Sequence, residues 1–168
     1  MRVRPERKHD AAAIRNVQYN AFNDHPYTYK DEYKIVDALR KSDSLTLSLV
    51  AEEYGAGIVG QLTISPVLIN GHDEGWFYVG PVGVLPEHQR KGIGTSLIRQ
   101  AVRAMYTQRA NGLISHGDPK FFTKLGFRND SRITYKNVQP EHIVLLPLGK
   151  SVPEGAVVLH TAHLTDYL

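Results

Sequence analysis

Hydrophobic and polar positions in the first part of the chain recur at the spacing of helices. Apolar residues fall on one face of a predicted helix over residues 11–22, and Asp10 stands where a helix N-cap is expected. A second helix with its own apolar face is predicted to end near residue 40. A short strand over residues 2–4 precedes both helices and ends at a proline.

From residue 45 onward the pattern changes to the alternation that is typical of strands. Leucines alternate with less apolar neighbours over residues 45–50, which predicts a strand with one apolar face. Turn residues at 53–57 join it to a hairpin partner over residues 58–67. A second turn leads into a strand over residues 74–85. These three strands are predicted to be consecutive and antiparallel.

A Gly80-Pro81 pair interrupts the last of these three strands. Proline has no N–H to donate to a neighbouring strand, so the strand is expected to bulge or splay at this point. Backbone groups beyond the interruption would then lack a strand partner on one side. The sequence therefore predicts a stretch of open strand edge within the sheet.

The second half of the chain contains two further helices and several short strands. A clear apolar helical face begins at Ile93, and a short apolar strand is predicted over residues 113–116. Asp118, followed by a proline, begins another helix that ends at Gly126. Two later strands are predicted at residues 143–148 and 157–159.

Composition and charge describe an ordinary globular protein and exclude several classes of function. The 168 residues are 42% hydrophobic and 22% charged, which fits a single α/β domain over residues 1–168. The chain has no cysteine, so disulfides, thiolate catalysis and cysteine-bound metals are excluded. The net charge of +3 favours an anionic ligand, whereas the scattered basic residues argue against nucleic acid as a partner.

The sequence carries no sign of a membrane span, a secretion signal or a metal site. No segment approaches the roughly 18 apolar residues of a membrane span, and the N-terminus lacks the apolar core of a signal peptide. We therefore expect no membrane partner and a cytoplasmic location. His160 and His163 lie three residues apart without neighbouring carboxylates, which is a poor metal site, so no metal is predicted.

The junction between the interrupted strand and the helix at Ile93 carries the strongest chemical signal. Its sequence is Gln89-Arg90-Lys91-Gly92-Ile93-Gly94, in which two glycines bracket one residue. Main-chain N–H groups at such a junction can converge on a phosphate, helped by the helix N-terminus and by basic side chains. Glycines let the phosphate approach the backbone closely. This pattern favours a pyrophosphate site.

Other interpretations of this glycine loop differ in how well they fit. A dinucleotide fingerprint needs a third glycine where Leu97 stands, and the P-loop motif is absent from the sequence. A strand-to-helix turn whose glycines only relieve backbone strain fits the local residues equally well. The local sequence alone therefore leaves a phosphate site and a simple turn as alternatives.

Two motifs taken together resemble the GNAT N-acetyltransferase superfamily. Residues 89–94 resemble the acetyl-CoA motif of that family, and residues 117–127, which end in a Gly-Phe pair, resemble its second cofactor element. The order of predicted elements also agrees over residues 1–148, whereas residues 149–168 form a less typical C-terminal extension. The resemblance implies a mixed, mostly antiparallel sheet that is splayed at its central strand and flanked by helices.

The resemblance also implies a site for acetyl-CoA as co-substrate. The pantetheine arm would pair with the strand at Val82, Gly83 and Val84, and an amide near Val82 would hydrogen-bond the thioester oxygen. Phe122 and its neighbours would wall the pantetheine and adenine side. The pyrophosphate would lie on the main-chain amides of the glycine loop, which are those of Gln89, Arg90, Lys91, Gly92, Ile93, Gly94 and Thr95.

The residues that move protons are marked less clearly than those that bind the cofactor. Many members of the family place a tyrosine acid where this chain has Phe122, which has no proton to donate. Tyr78 is a candidate substitute acid or direct base, and Glu74 could act as a base through water, because strand alternation places both on one face. His116 has a suitable ordinary pKa for a base. The alternative is that Trp76, Tyr78 and His116 are core residues.

The acceptor and the assembly state are the least constrained properties. The resemblance implies transfer to a small-molecule or peptide amine, and the polar, aromatic segment 23–29 is a candidate for recognising it. An ordinary polar loop is the alternative for that segment. Because Phe122 replaces the usual acid, a CoA-binding sensor or interaction module is the second functional hypothesis. Either function is compatible with a homodimer.

Overall fold

The computed structural model describes residues 1–22, 31–136, 138–149 and 151–164. Within these ranges the chain forms an open sheet with helices on both faces. The segment predicted to recognise the acceptor, residues 23–29, lies outside the described residues, so its role stays a prediction.

Strand and helix boundaries follow the hydrophobic pattern to within a few residues. Among the described elements, the two-residue strand at Ile133–Thr134 and the short 3-10 turns are too brief to produce such a pattern. In the described ranges the strands are β1 (Arg2–Pro5), β2 (Leu47–Glu53), β3 (Gly57–Ile69), β4 (Trp76–Val84), β5 (Gly112–His116), β6 (Ile133–Thr134), β7 (Ile143–Pro147) and β8 (Gly155–Leu159). The helices are α1 (Ala11–Ala21), α2 (Glu32–Lys41), α3 (Ile93–Thr107) and α4 (Pro119–Thr123), and a 3-10 turn at Thr161–Leu164 follows β8.

The main sheet has the strand order β1-β2-β3-β4-β5-β7. Only β4 and β5 are parallel along this path, and the other neighbours are antiparallel. β8 pairs with the far end of β3, and β6 pairs with β8. The predicted run of three antiparallel strands is therefore confirmed, as is the mixed, mostly antiparallel sheet flanked by helices.

Helices cover both faces of the sheet, so central strands bury residues on both sides. Leu49 and Ala51 of β2 belong to the core beneath α3, whereas Val50 packs with Ile14 of α1 and Val36 of α2. All of these side chains are buried. The sequence predicted one strongly apolar face, which is the face that Leu49 and Ala51 turn toward α3. The opposite face is partly buried as well, and it carries the polar Ser48 beside Val50.

The predicted splay occurs where β4 leaves β5. The parallel pairing ends at Tyr78 and Ile114, although β5 continues beside β7 as far as His116. On the other side of β4, the register with β3 shifts across the Gly80-Pro81 pair, which is the geometry of a bulge. Ser115 Oγ donates a hydrogen bond of 2.7 Å to the carbonyl oxygen of Val79, in the place where the ladder would otherwise continue.

The face of β3 beneath α1 and α2 carries buried polar side chains. Gln61, Thr63 and Ser65 alternate along the strand and are fully buried. The amide of Gln18 in α1 donates to Gln61, and Gln61 donates to Ser48 at 2.9 Å. These bonds join α1 to two strands. The side chains of Gln61, Thr63 and Ser65 all find partners, whereas Gln18 Oε1 is buried without one. The polar face of β3 therefore fixes the register of the strand rather than weakening the core.

The start of α1 is held by a buried ion pair instead of the predicted cap. Asp10 precedes α1, but its carboxylate accepts hydrogen bonds from the Arg4 guanidinium (2.7 and 3.2 Å) and from the Arg7 N–H (2.6 Å). Arg4 also donates to Glu52 of β2 at 2.7 and 3.0 Å. The Arg4 hydrogen bond holds the pKa of the Asp10 carboxyl below its usual range. The side-chain cap was therefore a wrong prediction.

We expect Asp10→Asn to lower the free energy of unfolding by about 3 kcal/mol, because the substitution leaves Arg4 buried with only one carboxylate. The matched control is Asp37→Asn, which removes a partly exposed partner of Arg15 and Arg40. We expect it to cost less than about 1 kcal/mol. Urea denaturation of both variants measures the difference, and equal losses would contradict a structural role for the Arg4 cluster.

Candidate active site

A gap opens between β4 and β5 beyond the point where they separate. Leu85 N–H donates to the Val59 carbonyl oxygen at 2.8 Å, which marks a hydrogen-bonded pair of the antiparallel ladder with β3. Alternation along that ladder turns the N–H and C=O groups of Val82 and Val84 away from β3, toward the gap. Gly83, between them, pairs with β3. The edge predicted from the Gly80-Pro81 interruption is therefore present.

The side chain of Gln89 ties the glycine loop to this edge. Its amide donates to the carbonyl oxygen of Val84 at 2.9 Å and to that of Ala21, the last residue of α1, at 3.2 Å. One side chain thus links the end of α1, the end of β4 and the start of the loop. The sequence indicated main-chain binding for Gln89, and this side-chain role had no signal in the sequence.

The glycine loop has the geometry of an anion site at a helix N-terminus. Gly92 is the N-cap of α3 with a φ of +84°, and Arg90 also has a positive φ of +60°. The N–H groups in the first turn of a helix have no partners within the helix. No heavy atom lies within 4 Å of where a Cβ at Gly92 would stand, so the backbone is open to a ligand. The side chains of Arg90 and Lys91 are exposed beside it.

The remaining loop residues carry backbone groups rather than side chains to the site. Ile93 is buried in the core beneath α3, and Thr95 lies in the first helical turn. A Cβ at Gly94 would stand 3.5 Å from the ring of Phe121 in α4. Phe121 is therefore the aromatic residue that packs against the start of α3, and the sequence analysis did not single it out.

Phe122 is mainly a core residue. Its ring lies 5.2 Å from Phe127 and 5.3 Å from Phe121 in edge-to-face contacts, and its side chain belongs to the core beneath α3. Asp118 caps α4 as predicted, because its carboxylate accepts from the Lys120 N–H. The geometry thus favours Phe121 for the aromatic wall beside the loop.

Tyr78 and His116 meet at the inner end of the gap. The Tyr78 hydroxyl and Nδ1 of His116 share a hydrogen bond of 2.9 Å, and their rings lie 5.6 Å apart. Tyr78 is the last residue of β4 that pairs with β5, and His116 is the last residue of β5. Part of His116 is open to solvent, but the protein packed around its imidazole lowers its pKa, with a smaller effect from His142. The neutral imidazole is thereby favoured.

Glu74 does not join this pair. It precedes β4, is exposed, and is separated from the strand by Gly75, whose φ is +72°. The strand alternation that placed Glu74 beside Tyr78 therefore does not extend that far. Trp76 is fully buried against Gly112, so its interpretation as a core residue is confirmed.

His163 and Ser65 are site neighbours that sequence analysis missed. His163 lies in the turn after β8, and its Nε2 shares a hydrogen bond of 2.9 Å with Ser65 Oγ. Its ring meets that of Tyr78 at 5.0 Å and nearly at right angles. Burial, then His160 and His116, lower the pKa of His163 to about 4. A cavity of about 10 Å³, room for about one water, borders Tyr78 and His116.

The described residues hold neither a cluster suited to a metal ion nor a helix suited to a membrane. In ranges 1–22, 31–136, 138–149 and 151–164, no group of three or more histidine, aspartate or glutamate side chains is placed to hold a metal ion. Among the same residues, none of the helices has both the length and the apolar character needed to cross a bilayer.

Comparison of the sequence and of the fold with known proteins identifies the family of this chain. Residues 45–129 match the model of the acetyltransferase (GNAT) domain. A GNAT family acetyltransferase from Brucella melitensis, solved in complex with acetyl-CoA, is 39% identical, with 96% of this chain and 97% of that chain covered and a TM-score of 0.86. The chain belongs to the GNAT acetyltransferase family.

A second relative is the uncharacterized N-acetyltransferase YhbS of Escherichia coli. It is 28% identical over 96 residues, which is 57% of this chain and 58% of YhbS, so the match spans less than two thirds of that relative. The crystal structure of YhbS in complex with CoA superposes with a TM-score of 0.89, covering 98% of this chain and 92% of that chain at 22% identity. At this level of identity, the superposition shows that the two chains share the same fold.

We expect the free energy of unfolding to fall by on the order of 2 kcal/mol between pH 7 and pH 5 through His163 alone. Its pKa is lowered to about 4 in the folded protein, so the unfolded chain, with an ordinary histidine, binds a proton first as pH falls. The contribution of the neutral His163 to the free energy of unfolding is therefore complete above pH 6.5 and declines as the pH falls below it. The lowered pKa of His116 acts in the same direction.

His163→Phe should remove most of this decline, since phenylalanine does not titrate. Urea denaturation at several pH values between 7 and 5 measures the slope for both proteins, above the range in which carboxylates titrate. The same slope in both would show that His163 is not held neutral by its surroundings.

Proposed function

We infer that this protein transfers an acetyl group from acetyl-CoA to the nitrogen of a small-molecule or peptide amine. The observation that carries the proposal is the Tyr78–His116 hydrogen bond at the inner end of the gap between β4 and β5. It brings a proton-carrying pair to the strand edge on which a GNAT enzyme is expected to hold its thioester. The acetyl-CoA complex of the 39% identical Brucella melitensis relative supports the choice of donor.

The donor would bind along the open edge and the glycine loop. The pyrophosphate would accept hydrogen bonds from main-chain N–H groups between Gln89 and Thr95, near the exposed cations Arg90 and Lys91. The pantetheine amides would pair with the gap-facing groups of Val82 and Val84. The Val82 N–H would then donate to the thioester oxygen as negative charge develops on it.

The Tyr78–His116 pair supplies a proton path that Phe122 cannot. In this scheme Nδ1–H of His116 donates to the Tyr78 oxygen, so that Nε2 is free to accept a proton and the Tyr78 hydroxyl points to the sulfur. The amine nitrogen attacks the thioester carbon, the new C–N bond forms and the C–S bond breaks. The amine proton passes to His116 Nε2, and the thiolate takes the hydroxyl proton of Tyr78, which regains one from Nδ1.

This path uses the lowered pKa of His116. A neutral imidazole can accept a proton from the attacking amine, whereas an imidazolium cannot. The products are an acetylated amine and the CoA thiol, and exchange with water returns the imidazole to its starting tautomer. No metal is needed, because alignment and proton transfer suffice for attack on a thioester.

Gly92→Val should weaken CoA binding about tenfold or more, equivalent to about one charge-assisted hydrogen bond, because a branched side chain would stand in the open space at the loop. The matched control is Gly55→Val in the hairpin between β2 and β3. Gly55 has a similar φ of +79° and equally open surroundings, so both variants bear the same backbone strain. Calorimetric titration with CoA compares them, and equal affinities would refute the proposed pyrophosphate site.

Tyr78→Phe should lower kcat by about a hundredfold or more while leaving the KM for acetyl-CoA little changed, because the variant keeps the ring and loses the hydroxyl group that carries the proton. The control is Tyr106→Phe at an exposed position of α3. Thiol release from acetyl-CoA measures both. Full activity of Tyr78→Phe would remove Tyr78 from the proton path.

A panel of amines decides between an enzyme and a sensor. Thiol release with at least one small amine or peptide amine is the expected result for an acetyltransferase. Tight CoA binding with no release for any amine in the panel would favour the sensor and contradict the proposed transfer.

A further inference from the structure

His163 covers a pair of side chains that face each other across two strands. Ser65 of β3 and Tyr78 of β4 are direct cross-strand partners, so their side chains lie on the same face of the sheet. The His163 imidazole contacts both: Nε2 shares the hydrogen bond with Ser65 Oγ, and the ring meets the Tyr78 ring at 5.0 Å with an interplanar angle of 80°. One imidazole therefore bridges the pair from above.

The position of His163 is set by contacts that do not involve Tyr78. β8 pairs with β3 from Ile69 to Val67, and the 3-10 turn that follows packs against α2. Ala162 in this turn is buried, and its N–H donates to Nδ1 of His160 at 3.0 Å. The turn is thus held by the pairing of β8 with β3 on one side and by its packing against α2 on the other. These contacts place the His163 imidazole over the sheet.

The two histidines act on different parts of Tyr78. His116 meets the hydroxyl group, whereas His163 meets the ring, and each comes from a different element. The Tyr78 ring is also buried in a core cluster with Ile114 and lies against Gly80, so His163 adds a polar, hydrogen-bonded neighbour to a ring that is already packed. Loss of that neighbour would give the ring more freedom about its side-chain torsions and lengthen the hydrogen bond to His116.

We propose that His163 is a positioning residue that holds the Tyr78 ring so that its hydroxyl stays hydrogen-bonded to Nδ1 of His116. The inference rests on the proposed function only for its effect on catalysis. It gives the residues after β8, which sequence analysis regarded as a less typical extension, a part in completing the site. Within the part of the chain that the structure describes, the titratable groups that face His163 are Tyr78 from β4, His116 from β5 and His160 from its own segment.

The tautomer of His116 tests the positioning without using activity. Long-range ¹H–¹⁵N spectra report which imidazole nitrogen carries the proton. We expect His163→Ala to change the His116 Nδ1 signal, and His163→Phe, which keeps a ring but loses the Ser65 bond, to change it less. Thr161→Ala, at an exposed position of the same turn, is the control and should leave the signal as it is.

If His163→Ala does not fold, Ser65→Ala provides the second variant, because it breaks the same hydrogen bond and so releases the His163 ring while both aromatic side chains are kept. Thermal melts and CoA titration establish that each variant is folded. An unchanged His116 signal in the folded variants overturns the proposal, and a shifted signal supports it.

Kinetics separate this proposal from the proposed function. We expect His163→Ala to lower kcat about tenfold with the KM for acetyl-CoA unchanged, because a catalytic group moved by a fraction of an ångström loses alignment. If the His116 signal shifts while Tyr78→Phe remains fully active, the positioning is supported and the proton path fails. If Tyr78→Phe is inactive while His163→Ala changes neither kcat nor the signal, the positioning fails and the proton path stands.

Discussion

The separation of β4 from β5 is the constraint on which the rest of this molecule depends. A parallel pair that stayed together would satisfy the backbone groups of Val82 and Val84 and leave no edge between the strands. The pairing instead ends at Tyr78, and β4 continues beside β3 alone. The same event places a tyrosine and a histidine from two strands within hydrogen-bond distance and aims an open edge at the glycine loop. Binding groups and reacting groups thus have one structural origin.

The two faces of the sheet bury different kinds of side chain. Beneath α3 the core is formed mainly by apolar side chains, and it supports the helix whose N-terminus forms the loop. Beneath α1 and α2, Gln61, Thr63 and Ser65 are buried but hydrogen-bonded. A shift of β3 by one residue would exchange these faces and leave three polar side chains without partners in an apolar core. The polar face therefore specifies the register that sets Ser65 opposite Tyr78.

Local features of the sequence predicted most of this arrangement. The helical face after Ile93, the splay at Gly80-Pro81 and the glycine loop all depend on residues close together in the chain, and the structure confirms the helix and the splay. Tyr78 and His116 were named separately, and only the fold shows that they touch. Asp10 was misjudged because its carboxylate binds the Arg4 guanidinium, six residues earlier, instead of capping α1, and Glu74 because it lies beyond a glycine that ends the alternation. His163 gave no signal, since its partners lie 98 and 85 residues away along the chain.

The hydroxyl group of Ser115 has a consequence for where the opening between β4 and β5 begins. It donates to the Val79 carbonyl oxygen, where a main-chain N–H of β5 would bond if the ladder continued. A side-chain hydrogen bond thus takes the place of the next main-chain bond between β4 and β5. Because the hydroxyl supplies the donor, the Val79 carbonyl oxygen is satisfied without a further main-chain bond between the two strands. The point at which the opening begins thus depends on a side chain of β5 as well as on the Gly80-Pro81 interruption of β4.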